Sequence, residues 1–211
     1  MATAQFVIVV QIRANDPEAL AAQHARYAEL AGRFPGIRYK HVMRSASEPD
    51  RYIDLMAWER REQSEEFGVD PEYQRARPPA SATRAVSIGG SDANPGYYEP
   101  VAEFVRPEAP IAAQVLAFVE ARPGREQALA AAARALVGGA EVLPGIASAR
   151  ALRNLGRPAQ HVIVTAYVDE GATVELAAAA PLREAWSNLV DCCAAEPVAE
   201  PGLLVVRFDA P

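Results

Sequence analysis

The alternation of apolar and polar positions at the start of the chain predicts a strand followed by a helix. Residues 5–12 are rich in Val and Ile, which is typical of a strand. Apolar side chains then recur at the three- and four-residue spacing of one helix face, from Leu20 to Ala31. Asp16-Pro17 suits the start of that helix, because Asp caps helix N-termini and Pro fits the first turn. Pro35-Gly36 ends the helix.

Further strands and short helices are predicted in the rest of the first half. Residues 38–44 and 51–59 are typical of half-buried strands. A short helix near 71–77, a helix over 80–88, a loop at 89–96 and a strand over 97–105 follow. Pro100 has no backbone N–H to donate, so the last strand is expected to lie at an edge or to contain a bulge.

The same pattern returns in the second half of the chain. Arg33-Phe34-Pro35-Gly36-Ile37 has its counterpart in Val142-Leu143-Pro144-Gly145-Ile146, 109 positions later. Strands are predicted over 114–121, 147–153, 161–168 and 203–208, with helices along the stripe from Leu129 to Ala140 and over 181–190. Each half therefore reads β-α-β-β-α-β, the split βαβ unit of ferredoxin-like domains.

Two such units in one chain predict an α+β fold. We place repeat 1 at residues 1–106 and repeat 2 at residues 111–211, joined by a linker at about 107–110. A single unit carries its helices on one face of its sheet and leaves the other face in need of a cover. Two copies can cover each other, sheet against sheet. The expected architecture is thus a pseudo-dimeric α/β barrel, as a monomer or a homodimer.

Composition narrows the range of expected partners. Half of the residues are hydrophobic, 23% are charged and the net charge is −6. Nucleic acids and anionic membranes are not expected to bind, because both attract basic surfaces. No apolar run approaches the roughly 18 residues of a membrane span, and the first strand is too short and too β-branched for a signal peptide. A cytoplasmic protein is therefore expected.

Sequence motifs for metal, phosphate or disulfide chemistry are missing. Cys192 and Cys193 are adjacent, which fits reduced core thiols better than a bridge or a metal pair. His24, His41 and His161 fall on three different predicted elements, without the spacing of metal ligands. His24 on the helix stripe is expected to be a core residue. Gly89-Gly90 leads into Asn-Pro-Gly instead of a helix, so no phosphate-binding loop is expected.

One series of motifs points to a known family. A helix ending in (Phe/Leu)-Pro-Gly-Ile, a strand ending in Arg44 or Arg153, and a strand ending in Ala57-Trp58-Glu59 follow one another. In this order they resemble the antibiotic biosynthesis monooxygenase group of the dimeric α/β-barrel superfamily. The resemblance covers each half, so the chain looks like a tandem fusion of two such domains. It implies oxygenation of aromatic polyketides, such as anthrones to quinones, with O2 as co-substrate and no bound cofactor; use of a flavin stays open.

The same superfamily also holds haem-degrading oxygenases, polyketide cyclases and structural members, so fold analogy alone does not select the chemistry. The haem-degrading branch resembles this chain least. It uses an axial His on the helix after the Trp strand and an Asn on the first strand. This sequence has Glu72 and Tyr73 on that helix and Gln11 on that strand. Haem is therefore not expected.

Positions that differ between the repeats supply the expected catalytic residues. His41 is the first candidate base, because a neutral imidazole can take a phenolic proton near pH 7. Asp54 either orients His41 or acts as a base itself. The alternatives are a hydrogen-bonded interface histidine at His41 and an ion pair of Asp54 with Arg150, Arg44 or Lys40.

The expected substrate-binding residues come from strand faces that mix apolar and polar side chains. Trp58 offers a flat wall for fused rings, or else is a core tryptophan. Tyr39 and Arg150 offer hydrogen bonds to an enolate or quinone oxygen, or else serve packing and an ion pair between the repeats. The remaining candidates are Met43, Met56, Tyr167, His161, Gln11 and Phe118.

The leading functional hypothesis is an oxygenase of secondary metabolism that acts on a polycyclic phenolic substrate. In it, a base generates a phenolate or carbanion that reacts with O2. The alternatives are a polyketide cyclase or isomerase and a non-catalytic ligand-binding protein. One working pocket is expected, dominated by repeat 1, with repeat 2 as its cover and as the donor of Arg150.

Overall fold

The computed structural model describes residues 4–76, 83–85 and 96–210. Its first half contains β1 (Phe6–Ala14), α1 (Pro17–Ala31), β2 (Ile37–Ser45), β3 (Arg51–Trp58), α2 (Arg61–Val69), α3 (Pro71–Ala76), β4 (Thr83–Ala85) and β5 (Gly96–Val105). Its second half contains β6 (Ala113–Glu120), α4 (Glu126–Glu141), β7 (Ile146–Asn154), β8 (Gln160–Tyr167), α5 (Ala172–Ala177), α6 (Ala180–Val190) and β9 (Val198–Asp209). The α+β class with two βαββαβ-like repeats is therefore confirmed.

The chain forms two compact units, and β5 and β9 each contribute residues to both. The first unit contains β1 to β4, α1 to α3, residues 96–98 of β5 and residues 204–209 of β9. The second contains the rest of β5, the elements from β6 to α6 and residues 198–203 of β9. Neither unit is thus one continuous segment of chain. The linker at 107–110 stays a prediction.

The sheet of each unit is built around a strand that pairs on both edges. In the first unit β3 pairs antiparallel with β1 and with β2, placing Leu55 opposite Val9 and Asp54 opposite Val42. In the second unit β8 pairs in the same way with β6 and β7. Residues 96–98 of β5 pair with β1, and residues 198–203 of β9 pair with β6. This strand order is that of the split βαβ unit.

The helices of each unit pack on one face of its sheet, and the strand alternation decides which side chains they meet. In the second unit the α4 stripe from Leu129 to Ala140 is buried against Ala117, Ala149 and Ile163. In the first unit α1, α2 and α3 pack against the face that carries Met56 and Trp58. The mixed face of β3 therefore looks toward the helices of its own unit.

The predicted start of α1 is confirmed, whereas one predicted helix is wrong. Asp16 accepts a hydrogen bond from Ala19 N at 3.0 Å and Pro17 begins the helix. Residues 83–85, predicted as helical, form β4 and pair with residues 12–14 of β1, because an open strand edge there offers backbone partners. The rest of the predicted helix, with Gly89-Gly90 and most of the predicted loop, lies outside the described residues.

A second difference concerns the polar stretch after β3. It forms α2, which buries Gln63, Ser64 and Phe67. No helix was predicted there, because the stretch is mostly charged and lacks apolar residues at helical spacing. Among the described residues, no helix has the length and apolar character needed to cross a membrane.

The Pro-Gly turns that mark the repeat differ in backbone conformation. Gly36 has φ +85°, the left-handed region that favours glycine, whereas Gly145 is absent from the described residues with positive φ. A Cβ at Gly36 would also meet the amide group of Gln63, whose Oε1 accepts a hydrogen bond from Arg60 N at 3.1 Å. A Cβ at Gly145 would meet the flexible end of Leu176.

We expect Gly36→Ala to destabilise the protein more than Gly145→Ala. A left-handed backbone costs a non-glycine residue about 1–2 kcal/mol, and displacement of Gln63 adds to that cost at Gly36 alone. Urea unfolding of the two variants measures the difference. Equal losses of unfolding free energy would contradict the assignment of strain to Gly36.

Candidate functional site

Each unit contains a cavity between its sheet and its helices. The cavity of the first unit, here the first cavity, has a volume of about 120 Å³. Its lining consists of Ile8, Val10, Asp54, Met56, Trp58, Ser64, Phe67, Gly68 and Tyr73. The cavity of the second unit, here the second cavity, has a volume of about 260 Å³. Its lining consists of Val115, Ala117, Leu136, Ile163, Thr165, Tyr167, Ala177, Leu182, Trp186 and Ala199.

The two cavities occupy corresponding places in the repeats. At the offset of 109 residues, their shared positions are Ile8 and Ala117, Asp54 and Ile163, Met56 and Thr165, Trp58 and Tyr167, Gly68 and Ala177, and Tyr73 and Leu182. The central strand, β3 or β8, therefore supplies three side chains at matching positions in both cavities. The residue type differs between the repeats at every shared position, and the polarity differs most at Asp54 and Ile163.

The first cavity ends at a buried cluster of three ionisable side chains. Lys40 Nζ lies 2.7 Å from Asp54 Oδ1 and 2.6 Å from Oδ2. His24 Nδ1, on α1, lies 3.5 Å from Asp54 Oδ2. Lys40 is 0% exposed, His24 5% and Asp54 8%. The ion pair of Asp54 with Lys40, one of the alternatives predicted for Asp54, is thus observed.

His24 is held neutral in this cluster. Burial lowers the pKa of His24 from 6.5 to about 4; the Asp54 carboxylate opposes that shift and the charge of Lys40 adds to it. Neither ring nitrogen has a hydrogen-bond partner among the described residues. His24 is therefore the buried helix-stripe residue that was expected, but it touches an ion pair.

The second repeat shows that the fold does not require this cluster. The counterparts of His24, Lys40 and Asp54 are Ala133, Ala149 and Ile163, all buried in the apolar core of the second unit. A buried ion pair is often no more stabilising than apolar side chains of similar volume. The first unit thus differs from the second in having a charged cluster here, and packing alone does not explain that difference.

Aromatic side chains form one wall of the first cavity. Trp58 and Tyr73 both contact Phe67, with ring centroids 5.3 and 4.2 Å from it. Trp58 is fully buried, and its indole N–H has no hydrogen-bond partner among the described residues. The first cavity therefore combines a flat apolar wall, a free donor and a carboxylate.

The second cavity is apolar apart from a few hydroxyl and indole groups. Tyr167 and Thr165 project from β8, and Trp186 projects from α6. Burial raises the pKa of Tyr167 to about 12, so its phenol stays protonated and can donate a hydrogen bond at neutral pH. No carboxylate, imidazole or amine belongs to the lining described above.

The predicted catalytic pair does not come together. Val42 lies opposite Asp54 and His41 lies opposite Leu55, so the side chains of His41 and Asp54 point to opposite faces of the sheet. His41 Nε2 is instead 2.8 Å from Asp209 Oδ1, near the end of the chain. Partial burial raises the pKa of Asp209, but hydrogen bonds and charges from His41 and Arg207 outweigh it and hold the pKa well below its usual range.

Five other candidates also lie away from the helices and line neither cavity. Tyr39 and Met43 share the face of His41, while Gln11 and Phe118 lie opposite Ile53 and Val162 on that same side of their sheets. Arg150 is buried, with 4% of its surface exposed. Its Nε donates to Glu103 at 2.7 Å and its Nη1 to Ser148 at 2.9 Å.

Of the remaining candidates, Asp54, Met56 and Trp58 line the first cavity and Tyr167 lines the second. His161 shares the helix side of β8 but lines neither cavity, and burial lowers its pKa. The prediction missed Lys40 as a cavity-side residue, and it did not select Tyr73, Thr165 or Trp186. The pairing register of β2 with β3 places Lys40 on the same face as Asp54. The sequence alone does not give that register.

The described residues contain no group of three or more His, Cys, Asp or Glu side chains that could hold a metal ion. Cys192 and Cys193 are buried free thiols. In the described structure, hydroxyl, indole and ion-paired groups thus supply the polar chemistry of the cavities.

A comparison with known families finds a similarity in the second repeat. Residues 113–188 match the model of the antibiotic biosynthesis monooxygenase family. This segment runs from β6 into α6 and includes Thr165, Tyr167 and Trp186. The second repeat is thus similar to an antibiotic biosynthesis monooxygenase domain over this segment. Because the first repeat has a similar order of elements, the chain resembles a tandem of two such domains.

Solved structures match the whole chain at low identity. A candidate monooxygenase from Lactobacillus acidophilus NCFM is 9% identical over 97% of this chain and 96% of that chain, with a TM-score of 0.76. A candidate monooxygenase from Fusobacterium nucleatum is 7% identical over 99% and 96%, with a TM-score of 0.80. An anthrone oxidase-like protein is 15% identical over 99% and 95%, with a TM-score of 0.64. These likenesses show the monooxygenase-like fold. No curated protein matches the sequence.

We expect the free energy of unfolding to fall as the pH drops from 6.5 to 4. His24 by itself should account for about 3 kcal/mol of that fall. In that range the unfolded chain binds a proton that folded His24 does not, so acid favours unfolding. His24→Ala, which introduces the residue of the second repeat, should remove this part of the pH dependence. Urea unfolding of both proteins across the range measures it. Parallel pH curves would contradict a neutral buried His24.

We expect Lys40→Met to cost about 3–5 kcal/mol, because it leaves the carboxylate of Asp54 buried without its partner. Lys40→Met combined with Asp54→Leu removes both charges and should cost less than Lys40→Met alone. The free energies of unfolding of the two variants test this. A double variant that is less stable than the single one would show that the ion pair itself holds the unit together.

Proposed function

We propose that the protein is a cofactor-independent oxygenase, and that it binds a planar phenolic substrate of polyketide type in the second cavity. The observation that carries the proposal is this cavity of about 260 Å³, walled by apolar side chains and Trp186, whose lining apart from Ala199 belongs to the segment that matches the monooxygenase family. Ligand sites are typically apolar clefts, of about 300 Å³ upward, with a few placed polar groups. The second cavity lies just below that range and is suited to a compact fused-ring ligand.

The hydroxyl groups of Tyr167 and Thr165 are the proposed anchors for a substrate oxygen. Because Tyr167 stays protonated, it can donate to a carbonyl oxygen and more strongly to the oxyanion that forms when the substrate loses a proton. A donor fixed in an apolar cavity stabilises such a charge more than water does. Binding at this site therefore favours the anionic, electron-rich form of the substrate.

The proposed reaction is the conversion of an anthrone to a quinone. Loss of a proton from the methylene carbon gives an enolate, and this carbanion reacts with O2 at that carbon. One oxygen atom becomes the new carbonyl oxygen, and the other leaves as water with the two methylene hydrogens. The substrate supplies all the electrons, so the stoichiometry needs no external reductant or bound cofactor. The likeness to an anthrone oxidase-like protein supports this choice of substrate class.

The lining of the second cavity also favours a second candidate, a protein that binds the phenolic ligand without turnover. No carboxylate or imidazole belongs to that lining, so no side chain there acts as a strong base. An oxygenase at this site therefore requires a substrate that ionises readily on its own.

We expect protein-dependent O2 uptake with 1,8-dihydroxyanthrone, above its spontaneous oxidation. Tyr167→Phe removes the hydroxyl and keeps the ring, and should lower that rate by roughly 100-fold, the size of effect seen when one oxyanion donor is lost. An oxygen electrode measures the rate. Tyr39→Phe is the matched control, because Tyr39 is buried but lines neither cavity, and should retain the rate.

Three results would change the assignment. No uptake above the spontaneous rate, with the ligand still bound, would favour the binding protein. Conversion that proceeds equally without O2 would point to a cyclase or isomerase. Equal loss of rate in Tyr39→Phe and Tyr167→Phe would remove the second cavity from the mechanism.

A further inference from the structure

We propose that the first cavity is a separate binding site for a neutral, single-ring phenol whose hydroxyl donates a hydrogen bond to Asp54. This inference goes beyond the proposed function, because it concerns the other unit and a smaller class of ligand. It starts from the contrast between the repeats. The first repeat places Lys40, Asp54 and His24 where the second has Ala149, Ile163 and Ala133, and Asp54 alone of the three reaches the cavity lining.

Asp54 retains acceptor capacity toward the cavity. An ionised carboxylate offers about four lone-pair positions, and Lys40 Nζ takes one on each oxygen, at 2.7 and 2.6 Å. Neutral His24 stands beside Oδ2 at 3.5 Å. Lys40 is a positioning residue in this arrangement, since its two hydrogen bonds hold the carboxylate of Asp54, which itself lines the cavity.

The volume and walls of the first cavity select a single ring. An apolar protein cavity of about 150 Å³ is known to hold benzene, and the first cavity has about 120 Å³. Because the first cavity is smaller than that, fused rings do not fit, and a single ring packed against Trp58, Phe67 and Tyr73 is the largest ligand that it can take. The indole N–H of Trp58 is fully buried and has no partner among the described residues. A ligand oxygen that both donates and accepts, as a phenol oxygen does, is the kind that suits these two groups.

The charge of the cluster selects a neutral ligand. Lys40 and Asp54 together carry no net charge, and His24 is neutral because its pKa is about 4. Burial of a further charge without a partner is costly. A phenol is therefore preferred over a benzoate or a phenolate, and over a hydrocarbon ring that cannot donate to Asp54.

The chain offers a direct test, because its two tryptophans lie in different cavities. Trp186→Phe leaves Trp58 as the single tryptophan, so its fluorescence reports the first cavity. Titrations with phenol and with toluene, which has a methyl group in place of the hydroxyl, should show phenol binding roughly 10- to 100-fold more tightly, as expected for a hydrogen bond to a charged group. Calorimetry on the same protein checks the affinities.

Asp54→Leu in the same background should reduce the affinity for phenol to that for toluene. Continued binding of toluene by this variant shows that the cavity has folded. If that variant does not fold, Lys40→Met with Asp54→Leu removes both charges and carries the same expectation. Equal affinities for phenol and toluene before substitution, or a preference for phenol that survives either variant, would overturn the proposal. Neither titration involves Tyr167 or O2 uptake, so failure here is distinct from failure of the proposed oxygenase.

Discussion

The pairing of β3, and of its counterpart β8, on both edges is the constraint on which both cavities depend. A strand that is paired on both sides cannot slide or rotate without losing two ladders of hydrogen bonds. Its side chains therefore alternate strictly, with one set facing the helices of the unit. On β3 that set includes Asp54, Met56 and Trp58, and on β8 it includes Ile163, Thr165 and Tyr167. The chemistry of each cavity follows from these three positions.

The same constraint explains why the repeats could diverge without loss of the fold. The backbone ladders are alike in both units, and they do not depend on which side chain stands at a given position. The helix side of the second unit has alanine and isoleucine at the positions where that of the first unit has a histidine, a lysine and an aspartate. Apolar filling satisfies packing at little electrostatic cost, and the ionic cluster requires two buried charges to satisfy each other. One fold thus carries two cavities of different polarity.

The fold was predictable because it is encoded by local patterns that occur twice. The strand runs, the cap at Asp16-Pro17 and the turns at Pro35-Gly36 and Pro144-Gly145 each act within a few residues, and the offset of 109 residues supports the first helix and the two strands after it by their counterparts. The helix α2 and the strand β4 escaped prediction for the opposite reason. α2 is mostly polar and depends on Phe67 packing in the core of its unit, and β4 depends on backbone pairing with β1, which is distant in sequence.

The site was predictable only in part, since membership of a face depends on strand register. Alternation sorts Tyr39, His41 and Met43 from Lys40 and Val42 within β2, but it does not say which set shares a face with Asp54. The bulge between Ile37 and Tyr39 and the pairing of Val42 with Asp54 decide that question. Asp54, Met56, Trp58 and Tyr167 line the cavities, but their part in any function stays a prediction. The strand of His41 was predicted correctly, but the register that places His41 on the face opposite to that of Asp54 was not available from the sequence.

The contrast between Asp54 and Tyr167 shows what each cavity can do to a bound oxygen. Asp54, ionised and held by Lys40, accepts hydrogen bonds and therefore favours the protonated form of a hydroxyl ligand. Tyr167, kept neutral by burial, donates hydrogen bonds and therefore favours the deprotonated form. In the proposed roles, a phenol would be retained as a neutral molecule in the first cavity and drawn toward its anion in the second. Since reaction with O2 requires the electron-rich anion, the donor-lined cavity is the one suited to oxygenation, and the carboxylate-lined cavity is suited to binding without oxidation.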